Sequence, residues 1–391
     1  MNARTSVINS TLFFCGLLAV GQLAGQNDKD RNWSLNGYVK NMTSHTLISD
    51  SSLTDNLVHN RLNFKWYPSD HVKVVAEMRN RLFIGDQVRF NPFFTQLLKG
   101  ANDYFDWTYS VENNGNFVLH FMLDRAYLQY SLEKLEIKLG RQRVNWGINT
   151  VWNPNDLFNA FSYFDFDYEE RPGSDAISIR YYTGVASSIE VAGKMADDLT
   201  NFTGAGLWRF NLNNYDYQIL GGLSNNNLVV GGGWAGNILK AGFKGEGSYF
   251  LPLSNALDKS EVLVASVSMD YSFKNSLYIN VSGLYSSNGS VSPNFIEQAL
   301  YYSGNISAKY LSPYRWSVFL QSGYQFHPLV NGGLALITYP ASGDAFIGPY
   351  VGVSVLQNLD LDAFAQVLFS QINGTYQTTT QAYYLRLKYS F

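Results

Sequence analysis

The chain has 391 residues, of which 46% are hydrophobic, 16% aromatic and only 15% charged, with a formal net charge of -3 and a mean hydropathy of -0.14. An ordinary soluble domain carries about 25% charged residues, so the shortage of charge sets this sequence apart. A chain this rich in rings is not disordered, no apolar run after residue 25 approaches the ~20 residues of a membrane helix, and no basic excess points to nucleic acid.

At the start, Arg4 precedes an apolar run from Thr11 to Val20, and small residues come next at Ala24 and Gly25. This pattern predicts a secretory signal peptide over 1–25. The single cysteine, Cys15, falls inside it, so the exported domain, 26–391, is free of disulfides.

From Trp33 onward the apolar period is 2, which is the signal of half-buried strands. Between Leu57 and Tyr67, Val58, Leu62, Phe64 and Trp66 fall on one face and His59, Arg61, Asn63 and Lys65 on the other. Val72, Val74, Ala76, Met78 and Leu82 then alternate with Lys73, Glu77, Arg79 and Arg81. A globular sandwich alternates in the same way, but its strands run about 5 or 6 residues, whereas these repeatedly reach ~10. The segments lie near 33–48, 55–67, 71–84, 116–131, 134–146, 176–183, 186–194, 203–212, 215–223, 228–235, 238–251, 260–273, 277–286, 315–326, 330–338, 345–356, 359–370 and 379–391. Connections after even segments are tight, and the long ones, 85–115, 147–175 and 287–313, come after odd segments. The expectation is an all-β, transmembrane, antiparallel up-and-down β-barrel of about 18 strands, with 16 as the alternative, carrying short periplasmic turns and long external loops. In a barrel only every second side chain faces lipid, which keeps the mean hydropathy near zero, and the rings fit girdles at the two membrane interfaces.

The polar face nominates Arg61, Lys65, Lys73, Glu77, Arg79, Arg81 and Arg180 as pore-lining. Arg125 is a weaker candidate because it shares parity with Phe121 and Leu123. Strict alternation from Leu135, Ile137 and Leu139 puts Arg141 and Arg143 on the lipid face, at ~2–4 kcal/mol each near the midplane. A bulge near Gly140, or a strand end above the bilayer, is therefore expected. In the loop after the fifth segment, Asn153-Pro154 reads as a helix start. The rings and carboxylates beyond it fit two pictures. One is a surface loop packed on itself; the other is a constriction inside the bore, with Asp156, Asp165, Asp167, Glu169, Glu170 and Arg171 facing basic wall residues.

Other signals fail. Gly231, Gly233 and Gly236 match a dinucleotide fingerprint, but strand rather than helix comes after them. The five histidines show no metal spacing, and no cofactor, metal site or catalytic residue is expected. A barrel phospholipase would use a histidine such as His120 at the lipid interface, but no supporting serine arrangement accompanies it.

Arg141-Gln142 at a strand end, Trp146-Gly147, Asn153-Pro154 and Arg171-Pro172-Gly173 succeed one another in an order that resembles a Gram-negative, Bacteroidetes-like outer-membrane family of undefined function with porin-like barrels. The closing strand, which alternates Tyr383, Leu385, Leu387, Tyr389 and Phe391 with polar residues, also resembles the C-terminal signal by which such barrels are inserted. The resemblance implies an outer-membrane location, with lipid, the barrel-assembly machinery and small solutes as partners. The function expected is a non-enzymatic channel for passive diffusion of small polar or anionic solutes. A hydrophobic-solute transporter, or an adhesin-type barrel without an open pore, is the alternative.

Overall fold

The computed structural model describes residues 32–48, 51–98, 104–113, 115–164, 171, 173–253, 256, 259–293, 298, 306–372 and 374–391. The proposed signal peptide lies outside the described residues.

Nineteen strands are present among the described residues. The first half holds β1 (Trp33–Ile48), β2 (Ser51–Ser69), β3 (Val72–Gly85), β4 (Thr108–Asn113), β5 (Phe117–Ser131), β6 (Leu135–Gln142), β7 (Ser174–Gly184), β8 (Ser187–Lys194), β9 (Thr203–Leu212) and β10 (Tyr215–Ser224). The second holds β11 (Asn227–Ile238), β12 (Ala241–Pro252), β13 (Val262–Ser272), β14 (Tyr278–Ser286), β15 (Trp316–His327), β16 (Val330–Thr338), β17 (Ala345–Leu356), β18 (Leu359–Ile372) and β19 (Thr375–Ser390). All the pairings are antiparallel: β4 pairs with β5 alone, β3 pairs directly with β5, and β19 pairs with β1, which closes an 18-stranded barrel. Each segment read from alternation corresponds to one wall strand. No helix among the described residues is long and apolar enough to cross a membrane.

The long connections lie at one end of the barrel, which also carries two-residue turns such as Asn225-Asn226, while every connection at the other end is short. Between β9 and β10 the turn is Asn213-Asn214, with both residues at positive φ (52° and 62°), the backbone that a two-residue hairpin of matching twist requires.

Three features of the first half of the wall were not anticipated. The connection after β3 contains α1 (Asp86–Phe90) and α2 (Phe94–Leu97), whose Val88 and Phe94 pack on Val118. It also contains β4, which pairs with the stretch of β5 that β6 is too short to reach. Third, the bulge lies in β5 and not at Gly140. Glu77 pairs with Arg125 and Met78 with Leu123, leaving Asp124 as the extra residue, while β6 pairs on both sides without a register shift.

Arg141 therefore keeps its outward parity, but its guanidinium is 3% exposed and lies 3.6 Å from Asp175, its partner across the β6–β7 ladder. The strap leading into β4 covers the pair: the Phe105 N–H and the Trp107 indole N–H both donate to Asp175, each at 3.0 Å. Arg141 stands one residue before the end of β6, and Arg143 lies beyond it, donating to Asn145 at 2.8 Å. Ion pairing and cover remove the cost that a lone guanidinium would carry in lipid.

Candidate functional site

The residues after β6 turn into the bore. Val144, Trp146, Val151, Trp152, Leu157 and Phe158 are buried against inward-facing apolar side chains of the wall, among them Leu207, Val229, Phe250, Val264 and Phe319. Trp146 is fully buried, its ring 5.0 Å from Phe158 in an edge-on contact. This part of the lumen is a packed core. The wall anchors the loop by polar contacts as well. Gln218 donates to the Trp146 carbonyl (2.8 Å), Ser266 to the Trp152 carbonyl (2.8 Å) and Ser248 to the Asn155 side chain (2.8 Å). The buried Glu246 accepts the N–H groups of Ile148 (3.3 Å) and Asn149 (3.2 Å).

The expected helix start at Asn153-Pro154 forms no helix. Asn155 gives its amide to the Gly232 carbonyl at 3.0 Å, and the segment is spent on contacts with the wall. Tertiary bonds outweigh a local capping preference. The glycine run of β11 now has a reason: a Cβ on Gly231 would lie 2.9 Å from Asn155 Oδ1 and 2.6 Å from Ser248 Oγ. Those positions stay bare so that the loop can reach the wall.

The residues of the motif resemblance gather around this inserted loop. Gln142 is buried, donating to the Lys138 and Ala176 carbonyls and accepting from Ser178. Asn153 packs against Gly147, and Pro154 is buried with it. Gly173 faces the Asp124 carbonyl, which would lie 2.4 Å from an added Cβ. Pro172 lies outside the described residues.

Of the proposed constriction residues, Asp165, Asp167, Glu169 and Glu170 lie outside the described residues. Asp156 is fully buried, and its described partner is the loop's own Arg171 at 3.3 Å instead of a basic wall residue. Burial pushes its carboxyl up to about 6, against the pull of Arg171 and Arg143. The folded-state value exceeds the ordinary 3.8, so the folded loop holds the proton more tightly than the unfolded chain does. This contribution to stability is complete below about pH 4 and is lost as pH rises through about 6. Asp156→Asn is expected to remove it, a difference of up to about 3 kcal/mol between pH 4 and pH 7, read from denaturant unfolding of both proteins at the two pH values.

The pore-lining candidates on β2, β3 and β5 turn inward, and Arg61, Glu77 and Arg79 meet Asp124 in one network. Arg61, fully buried, donates to Asp124 and, at 2.7 Å, to Glu77. Arg79 approaches Asp124 at 3.5 Å, and Arg81 lies over the Phe83 ring at 5.1 Å. The β5 bulge resolves the doubtful parity of Arg125: it turns inward, pairs across from Glu77 and donates to the Arg171 carbonyl. Lys65 is half-buried in β2, and Lys73 lies over the Tyr67 ring at 5.9 Å. Arg180 belongs to a separate cluster, bonding Glu190 at 2.7 Å, with Arg209 on the same carboxylate at 3.2 Å.

Sequence reading missed Lys40, Asp124, Glu190, Arg209 and Glu246. Parity would have found Asp124, because Phe121 and Leu123 already assign it to the inner face. His120 is buried on the inner face, beside Arg81, and not at the lipid interface that phospholipase chemistry needs. Among the described residues no group of His, Cys, Asp and Glu could hold a metal ion.

No family model matches the chain, and no curated protein matches its sequence. Solved structures do match in fold. OccAB4 of Acinetobacter baumannii superposes with a TM-score of 0.57 at 10% identity, over 93% of this chain and 100% of that one. OccK11 (OpdR) of Pseudomonas aeruginosa gives 0.58 at 10% identity, over 92% and 96%. OpdQ of the same species gives 0.57 at 8% identity, over 92% and 99%. The chain thus has the fold of an outer-membrane porin-like barrel of the Occ and Opd kind.

Proposed function

We propose that the protein is a passive, non-enzymatic channel in the outer membrane of a Gram-negative, Bacteroidetes-like bacterium, admitting small polar or anionic solutes. The observation that carries this reading is the inner face of β2, β3 and β5, where four inward-turned arginines, Arg61, Arg79, Arg81 and Arg125, outnumber the carboxylates Glu77 and Asp124 beside an inserted loop. A cationic wall beside a narrowing attracts anions and selects them by size and sign. The loop from 147 to 175 supplies that narrowing. Glu77 and Asp124 temper the field from the wall. The outward rows of Tyr383, Leu385 and Leu387 meet lipid, and the last strand is the segment offered to the barrel-assembly machinery, with Phe391 at its end.

Planar-bilayer recording tests this. The wild-type channel is expected to conduct with anion selectivity, and Arg79→Ser with Arg81→Ser is expected to move the reversal potential toward cations. A cation-selective or non-conducting wild type would overturn the reading.

A further inference from the structure

The seam between β17 and β18 holds a feature that axial diffusion does not use. The ladder pairs Ile347 with Val367 and then Tyr350 with Phe364, skipping Gly348 and Pro349. Pro349 has no N–H to give β18. In an open sheet proline is confined to edges and bulges; a closed barrel has no edge, and in a bilayer a backbone group left without a partner is costly. Seven residues separate Pro349 from the tight turn at Gln357-Asn358. At barrel tilt this places it roughly 16 Å above that turn, inside the ~25 Å apolar band.

The wall is hollowed on both sides of this seam. On the lumen side a cavity of 380 Å³ lies between the loop rings Phe161 and Tyr163 and the wall rings Phe346 and Phe364, with Asp362 and Arg386 at its polar end. On the lipid side a groove of 700 Å³ passes Thr43, His45, Tyr383 and Leu385. Pro349, Tyr350, Val351, Phe364 and Ala365 border both. One layer of backbone, missing a ladder bond, separates the two spaces.

We propose that this seam is a lateral portal, through which a small aromatic amphiphile passes between the lumen and the bilayer. The rings of the inner cavity accept its apolar body, and the Asp362–Arg386 pair, 3.0 Å apart, accepts its polar head. The outer groove delivers it to lipid. Parting β17 from β18 costs least where the ladder is already interrupted. The proposal is independent of anion selectivity, since it uses other residues on the opposite side of the β1–β19 closure.

The test uses the full-length barrel in a bacterial outer membrane, with N-phenyl-1-naphthylamine, which fluoresces on entering a bilayer, as the probe. Gly348→Cys with Gln366→Cys places a disulfide directly across the seam. Oxidation is expected to slow probe entry about tenfold, reductant to restore it, and bilayer conductance to stay as in the wild type. Entry that ignores the oxidised crosslink would overturn the portal. Should the pair fail to fold or crosslink, Gly348→Phe decides instead. A Cβ there meets nothing nearer than 3.1 Å, so the ring fills the inner cavity. The same loss of entry is expected, and unchanged entry overturns the proposal. A barrel that admits the probe but conducts no ions would sink the channel reading and leave the portal standing.

Discussion

Asp124→Ala is expected to destabilise the barrel by about 3–5 kcal/mol, the cost of breaking a buried ion pair from one side. Arg61 has no exposed side-chain surface, and its Nη1 donates to Asp124, with Arg79 3.5 Å from the other carboxylate oxygen. Truncation takes from two buried guanidinium groups the carboxylate they share, leaving Glu77 on Arg61 alone. The compensating change distinguishes this from a generic packing loss: Asp124→Ala combined with Arg61→Met is expected to recover much of the stability, because a matched apolar replacement removes the stranded charge. Urea unfolding, monitored by the mobility difference between folded and unfolded barrel on gels, measures all three proteins. Strict additivity in the double variant would mean that Arg61 and Asp124 are not coupled.

Trp146→Ala is expected to cost about 3–5 kcal/mol, the usual range for deleting a fully buried aromatic, and to raise single-channel conductance. The ring sits where the inserted loop meets the wall, edge-on to Phe158, so its removal loosens the whole plug. Trp146→Phe provides the control. The indole N–H has no partner among the described residues, so a benzyl ring retains most of the apolar contact and leaves no bond unmade. Near wild-type stability and conductance are expected of it. Equal damage from both substitutions would mean that the loop does not depend on the ring's volume.

The strands are legible in the sequence because the membrane imposes one rule on all of them. A side chain at every second position meets lipid, and this period survives in the sequence whatever the partner strand is. The stretch from Asp86 to Asn113 does not obey that rule. Its short helices pack Val88 and Phe94 on Val118, and β4 fills a gap left by a short neighbour, which depends on the length of β6 and leaves no local mark. Arg141 is an apparent misfit for a similar reason. Its answer, Asp175, is 34 positions away by number and adjacent only in register. The loop is legible in part. Its rings and carboxylates mark it as unusual, but a local reading makes Asn153 a cap and Asp156 a wall-facing charge. Their neighbours in space are Gly147, the wall of β11 and β12, and Arg171. Parity alone misjudges Arg125, since a single extra residue, Asp124, inverts the facing of the rest of β5.

The closure of β1 on β19 sets the order of assembly. Gly37 and Phe391 exchange both backbone bonds at 3.0 Å, and the eleven residues from Tyr38 to Ile48 pair with those from Ser390 back to Thr380. These partners lie more than three hundred positions apart, so this seam forms only after the intervening hairpins exist. Until then two long strands stand open, each a template for any other unpaired edge. Contacts of such sequence separation make folding slow. The last ladder to form is therefore also the one that turns an aggregation-prone sheet into a membrane-compatible ring.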